Sequence, residues 1–314
     1  MSAEATNAGV IHDIGYRSYA GQRYGRRQIV LALTWYSLRS AFGIGRGVKA
    51  KILPVITFVL MCLPAAVSAV QIATTPGHQR VLSYDVYNNG LRIVVMLVFI
   101  AMQAPELVSR DLRSHSLPLY FARPISRIDY PIAKLAGFIM ACLAMIEIPL
   151  LLLYIGSVSQ VGSASGVWHE TKALIPGLLL GLAWAVVLAS LSLLLASVSG
   201  RRVFAVGAVA ISFFLTFVLA HLLIAIGGQA FGPHPVGGPG PVAVAVQADT
   251  LSRLAGLISP FTVLDGMRQW LGGTTPTFVP NPGNYGPLYG VMFLVLVVIG
   301  VGGLIVRYRK VGVA

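Results

Sequence analysis

Side chains able to do acid, base or ligand chemistry are sparse in this chain: 10 Asp and Glu and 6 His in 314 residues. Four polar groups stand in or at the ends of apolar runs: Gln103, Glu106, Glu147 and His221. Such groups are costly at bilayer depth, and they mark a translocation path, a proton-sensitive site or a helix–helix hydrogen bond. Gln103, Glu147 and His221 are the candidates for a path. Pro149, just after Glu147, frees a carbonyl nearby, so hydrogen bonding accounts for Glu147 equally well. Glu106 precedes Arg110 by four residues, the spacing of an ion pair along one helix face. No Ser/His/Asp set, HExxH motif or carboxylate pair is present, and the acids and histidines fall on different runs, so no catalytic residue is assigned. Cys62 and Cys142 are isolated in apolar runs and read as small inert side chains; no His/Cys cluster offers a metal site. A G-x-x-x-x-G-K-[ST] phosphate loop is absent. The glycine run GIGRG at 43–47 lacks the following Lys-Ser/Thr and reads as a flexible joint.

The elements that must position these groups follow from composition. The chain is 56% hydrophobic and 11% charged, with mean hydropathy +0.79, whereas a soluble domain carries about 25% charged residues. A bilayer core of about 30 Å takes about 20 apolar residues in helix. Six segments qualify, at about 52–72, 91–108, 135–156, 173–198, 203–227 and 287–306. The second is the weakest, because its apolar part is short and Arg92 inside it has to snorkel toward a polar boundary. The expectation is an all-α integral membrane protein: a segment 1–50, a single transmembrane domain over 51–307, and a tail at 308–314.

Lys and Arg decide orientation. With six spans, 18 of the 23 basic residues fall on one side and 5 on the other. The crowded side holds both ends of the chain, the loop between spans two and three, and Arg201 and Arg202. The positive-inside rule places it in the cytoplasm, so the expected location is the cell (inner or plasma) membrane with both termini cytoplasmic. The net charge of +13 then reflects orientation and anionic lipid, not nucleic acid. Lys49 and Lys51, an apolar run and the small residues 66–69 resemble a signal peptide, but the run begins about 50 residues in and five spans follow, which argues against cleavage.

Two flanking features stand out. Leu31, Trp35, Leu38 and Phe42 share one face of a predicted helix at about 28–42, flanked by Arg26, Arg27 and Arg39, as in an interfacial amphipathic helix. The loop after the fifth span opens with a Gly/Pro-rich connector at 231–241, and 250–271 reads as one or two short apolar helices dipping into the outer interface.

The loop 109–134, SRDLRSHSLPLYFARPISRIDYPIAK, is too long and too patterned for a bare hairpin. Ser116 and Pro118 can start a short helix presenting Leu117, Leu119, Tyr120 and Phe121; Arg123-Pro124 ends it, and helix resumes through Ser126, Arg127 and Asp129 into span three. A short aromatic helix held between two spans suits insertion into a groove on a soluble partner, or simply lying in the interface.

Residues 122–137, ARPISRIDYPIAKLAG, closely resemble the RPxSRxxYxxxK signature of ABC-2 type permeases, the membrane subunits of one class of ATP-binding-cassette exporters. The resemblance extends in outline to a basic N-terminal elbow helix, six spans, and an outer Ser-Pro element matched by Ser259-Pro260. It implies a coupling helix at 117–127 docking on a separate ATPase subunit, with Leu117, Leu119, Tyr120, Phe121, Arg123, Pro124 and Arg127 in the contact and Glu106 or Asp111 as the acidic residue preceding it. Pro118 departs from the family, whose helix is continuous there. By the same resemblance two ATPase subunits carry ATP and magnesium, this chain binds no cofactor, a second permease copy completes the path, and export of a lipidic or amphipathic drug-like substrate is expected. Two other readings remain open from the residues alone: an ion-coupled secondary transporter, and a membrane assembly or maturation factor.

Overall fold

A computed structural model describes residues 21, 25–74, 84, 90–114, 117–121, 125–229, 250–272 and 276–310. Among these the secondary structure is helical, without strands. The helices are α1 (Arg26–Ala41), α2 (Val48–Thr74), α3 (Gly90–Arg113), α4 (Leu117–Phe121), α5 (Asp129–Val158), α6 (Ala164–Ala196), α7 (Arg202–Gln229), α8 (Thr250–Ala255), α9 (Pro260–Gly272) and α10 (Gly286–Lys310). The connector at 231–241, Ser116, Arg123, Pro124 and the tail at 311–314 lie outside the described residues.

Six helices, α2, α3, α5, α6, α7 and α10, are long and apolar enough to cross a membrane. Their order matches the six runs read from the sequence. The weakest of those runs is the most enclosed: 72% of the most apolar stretch of α3 is buried, against 17% in α7 and in α10. Helix α3 is therefore an interior element, which explains why its sequence is less uniformly apolar than its neighbours. Arg92 corrects one expectation. It is 4% exposed, enclosed by the chain instead of snorkelling out of it. Helices α2, α7 and α10 turn large apolar side chains outward, among them Val59, Leu63, Phe214, Leu215, Leu294 and Val298. Covering such surface with lipid or protein avoids about 25 cal/mol per Å² of hydration cost.

Small residues set the helix crossings, the usual device where packing rather than water drives association. Gly156 of α5 lies against Ala69 of α2, and Gly300 of α10 against Ser190 of α6. Gly137 of α5 lies under α1: a β-carbon there would stand 2.5 Å from the Thr34 carbonyl and 2.6 Å from Ser37 Cβ. Helix α1 thus docks through Leu33, Ser37 and Ala41, all buried, and leaves Leu31 and Trp35 exposed. The joint between α1 and α2 is a tight turn. Gly43 and Gly45 have φ of +68° and +87°, and Gly43 faces the Ala50 backbone with no room for a β-carbon.

Helix α5 starts at a reciprocal cap. Ser126 N donates to Asp129 Oδ2 at 2.9 Å and Asp129 N donates to Ser126 Oγ at 3.2 Å. At the opposite end of the bundle, the apolar segment after α7 forms α8 and α9. Helix α9 buries Phe261, Val263 and Leu264. Phe261 packs against Trp184 of α6 and against Phe213 and Phe217 of α7.

Candidate functional site

The end of the bundle where α3 stops and α5 starts collects most of the paired charge. Asp111, in the last turn of α3, accepts a hydrogen bond from Tyr130 Oη at 2.6 Å and pairs with Lys134 Nζ at 2.8 Å. The Lys134 side chain is 3% exposed, and its ammonium also faces the rings of Tyr36 and Tyr130 at 5.9 and 5.5 Å. Tyr130 is fully buried. Its ring lies 5.3 Å from that of Tyr120 in α4 and 5.2 Å from that of Tyr308 near the end of α10. One buried tyrosine and one ion pair therefore join α1, α3, α4, α5 and α10. The signature tyrosine and lysine of the 122–137 segment sit one turn apart on α5, which aims both at Asp111.

Glu106 lies further into α3. It bridges Arg46 of the α1–α2 joint and Arg202 at the start of α7, the latter at 2.8 Å. Arg46 also donates to the Ser40 carbonyl, closing the joint. The expected Glu106–Arg110 pair does not form. Glu106 is turned toward α7 and the joint, whereas Arg110 is exposed. Between the two acids, Ser109 Oγ donates to the Ala196 carbonyl at 2.8 Å, tying α3 to the end of α6. Arg26 holds α1 to the start of α5 with two 2.7 Å bonds to Asp129. The hydrogen bond that Arg26 donates to Asp129, and then the Asp129 charge, raise the Arg26 pKa further above its already high value.

Helix α4 sits on this arrangement. Leu117 is buried, Tyr120 half-buried and Pro118 exposed. Tyr120 faces Tyr130, so it seats the helix on the bundle. Arg127 is exposed at the turn into α5. The backbone positions of Leu119 and Phe121 fall within α4; Arg123 and Pro124 are outside the described residues.

The three groups marked as a possible path lie on three different helices, α3, α5 and α7. Gln103 is buried in α3. Glu147 of α5 lies against Gly181 of α6, with both carboxylate oxygens out of solvent and without a hydrogen-bond partner. Pro149 does not supply one. Trp184, one turn beyond Gly181, likewise leaves its indole N–H unpartnered. His221 Nδ1 lies 2.9 Å from the Phe217 carbonyl of its own helix, and the ring packs on Phe217 and Phe278. The contact stays within α7 and is not the helix–helix hydrogen bond weighed for it above.

Sequence reasoning missed a second polar centre at the opposite end. Asp265 of α9 is fully buried. It accepts from Arg268 Nη2 at 2.9 Å, Gln269 Nε2 at 3.1 Å, and the backbone N–H groups of Phe278 and Val279 at 2.9 and 3.1 Å. Arg268 in turn donates to Thr277 at 3.0 Å. This folds the strip before α10 back over α9. The signal was a charged pair three residues apart inside an apolar stretch. Also missed were Arg46 and Arg202 as partners of Glu106, and Tyr36 and Tyr308 around Lys134. Among the described residues, no group of three or more His, Cys, Asp or Glu side chains is placed to hold a metal.

The chain matches no protein-family model, and no curated protein is significantly similar to it in sequence.

Proposed function

We propose that this chain is the membrane permease subunit of an ATP-binding-cassette transporter, in which ATP is hydrolysed by a separate nucleotide-binding subunit. The observation that carries the reading is the seating of α4. Its Tyr120 rests on Tyr130, which is bonded to Asp111, which is paired with Lys134. A push on α4 therefore acts on a rigid polar centre joining five helices, the mechanical requirement of a coupling element. The same segment carries the resemblance to ABC-2 type permeases. In this reading α1 is the elbow helix, its exposed Leu31 and Trp35 resting in the interface, and the basic end is cytoplasmic. Two ATPase subunits dock beneath a pair of permeases. The outward apolar faces of α2 and α7 suit a lipidic or amphipathic substrate, and export follows the family.

The test is a mild-detergent affinity purification of the tagged chain expressed with its genomic neighbours. A stoichiometric ATPase that co-purifies and turns over ATP supports the reading; a clean chain with no such partner overturns it.

A second reading rests on Glu147. A buried carboxyl with no hydrogen-bond partner, set between α5 and α6, is what a proton-coupled secondary transporter needs. It expects proton-dependent solute flux without an ATPase and loss of that dependence in Glu147→Gln. Flux unaffected by the substitution removes it.

A further inference from the structure

At the basic end, α3 and α7 leave a cleft between them. It is open, about 560 Å³ in volume, and lined by Arg113, Gly200, Arg201, Arg202, Val203 and Phe204. Its size falls in the range of about 300–1,000 Å³ typical of small-molecule sites. Three guanidinium groups border it, and one of them, Arg202, is paired with Glu106. Arg113 and Arg201 are exposed, and among the described residues neither forms an ion pair with an acidic side chain. Two cations lining one opening make a site of positive potential that favours an anion with more than one negative charge. Guanidinium matches the geometry of phosphate oxygens through paired N–H donors.

The rest of the lining identifies the source of that phosphate. Val203 is 81% and Phe204 62% exposed, and both begin the strongly apolar helix α7. A soluble anion gains nothing from such a rim, whereas acyl chains lying along α7 cover it. Gly200 adds no side chain to the floor, which leaves the α3 backbone at Arg113 open to the cleft.

We infer that this cleft binds a phospholipid with a dianionic headgroup, its phosphates between Arg113 and Arg201 and its acyl chains along Val203 and Phe204. Occupancy holds the start of α7 against the end of α3, beside the Glu106–Arg202 bridge. The inference requires that the apolar helices lie in a bilayer; it does not depend on the transporter reading.

The test is native mass spectrometry of the detergent-purified full chain, titrated separately with a diphosphatidyl glycerolipid, phosphatidylglycerol, phosphatidylcholine and inorganic pyrophosphate. The expected result is one diphosphatidyl lipid per chain, bound at least about tenfold more tightly than phosphatidylglycerol, a difference of about 1.4 kcal/mol. Pyrophosphate should not displace it at equal concentration. The double substitution Arg113→Gln with Arg201→Gln should bring binding down to the phosphatidylglycerol level. Arg39→Gln, at a basic position that does not line the cleft, should leave it unchanged. Equal binding of the mono- and dianionic lipids overturns the inference, as does undiminished binding in the double variant. Displacement by pyrophosphate overturns the lipid and assigns a soluble anion. If the double variant does not fold, Arg113→Lys with Arg201→Lys, which keeps both charges, serves in its place. Lysine lacks the paired donors, so a loss of at least about threefold supports the site and no change overturns it.

Discussion

Lys134 Nζ lies 2.8 Å from Asp111 Oδ2, and both side chains are largely out of solvent, at 3% and 15% exposure. The pair joins the end of one spanning helix to the start of the next beneath α4. Removing one partner of a buried pair typically costs about 3–5 kcal/mol, whereas replacing both with neutral groups costs much less. Lys134→Met alone should therefore lower the thermal midpoint sharply in detergent. Asp111→Asn combined with Lys134→Met should recover most of the loss. Additive losses in this double-mutant cycle would show that the two residues act separately.

Tyr120 faces inward onto Tyr130, so its substitution tests seating more than docking. Tyr120→Phe keeps the ring contact and should behave as wild type. Tyr120→Asp puts a charge against a buried ring and should release α4 while the spans stay folded. With an ATPase partner in hand, the expected readout is normal midpoint stability and lost stimulation of ATP turnover. Unchanged stimulation would remove α4 as the coupling element.

Gly137 lies so close to Ser37 and the Thr34 carbonyl that any side chain must push α1 away from α5. Overpacking of this kind costs about 1–3 kcal/mol. Gly137→Leu should detach α1 and expose the bond after Arg26 or Arg27 to trypsin. Cleavage no faster than in wild type would mean that α1 re-docks without the close contact.

Glu147 keeps two buried oxygens without partners. Replacing an unsatisfied buried polar group with an apolar one of similar shape removes a desolvation cost of about 1–3 kcal/mol. Glu147→Met should raise the thermal midpoint. A stabilised variant that loses transport identifies Glu147 as a residue retained for function at the expense of stability; a destabilised one shows that it has a structural partner.

Asp265 accepts from two side chains and two backbone N–H groups while fully buried. Asp265→Ala removes the carboxylate that faces the buried Arg268 and should cost about 3–5 kcal/mol. Asp265→Asn, which keeps part of the acceptor set, should cost less. Limited proteolysis within 276–280 is the direct check, since that strip is held by the carboxylate; no increase in cutting would place its anchor elsewhere.

The amino-acid sequence alone determined the six apolar helices, a short helix near Pro118, the helix preceding the first span and the grouping of cations in alternate segments between the runs. These are local, additive properties: hydropathy over about 20 residues, periodicity over two or three turns, and counts of Lys and Arg between runs. It also marked Glu106 and Asp111 as the acids of interest. Which cation each one meets was decided by tertiary structure. Local spacing offered Glu106 the neighbour Arg110. Packing gave it Arg46, 60 positions away, and Arg202, and joined Arg26 to Asp129 across 103 positions. The burial of Arg92, the lone Glu147 carboxyl and the Asp265 centre were decided in the same way. A buried charge is tolerated or stranded according to the groups that helix packing brings against it, and the spacing of residues along one chain segment does not contain that information.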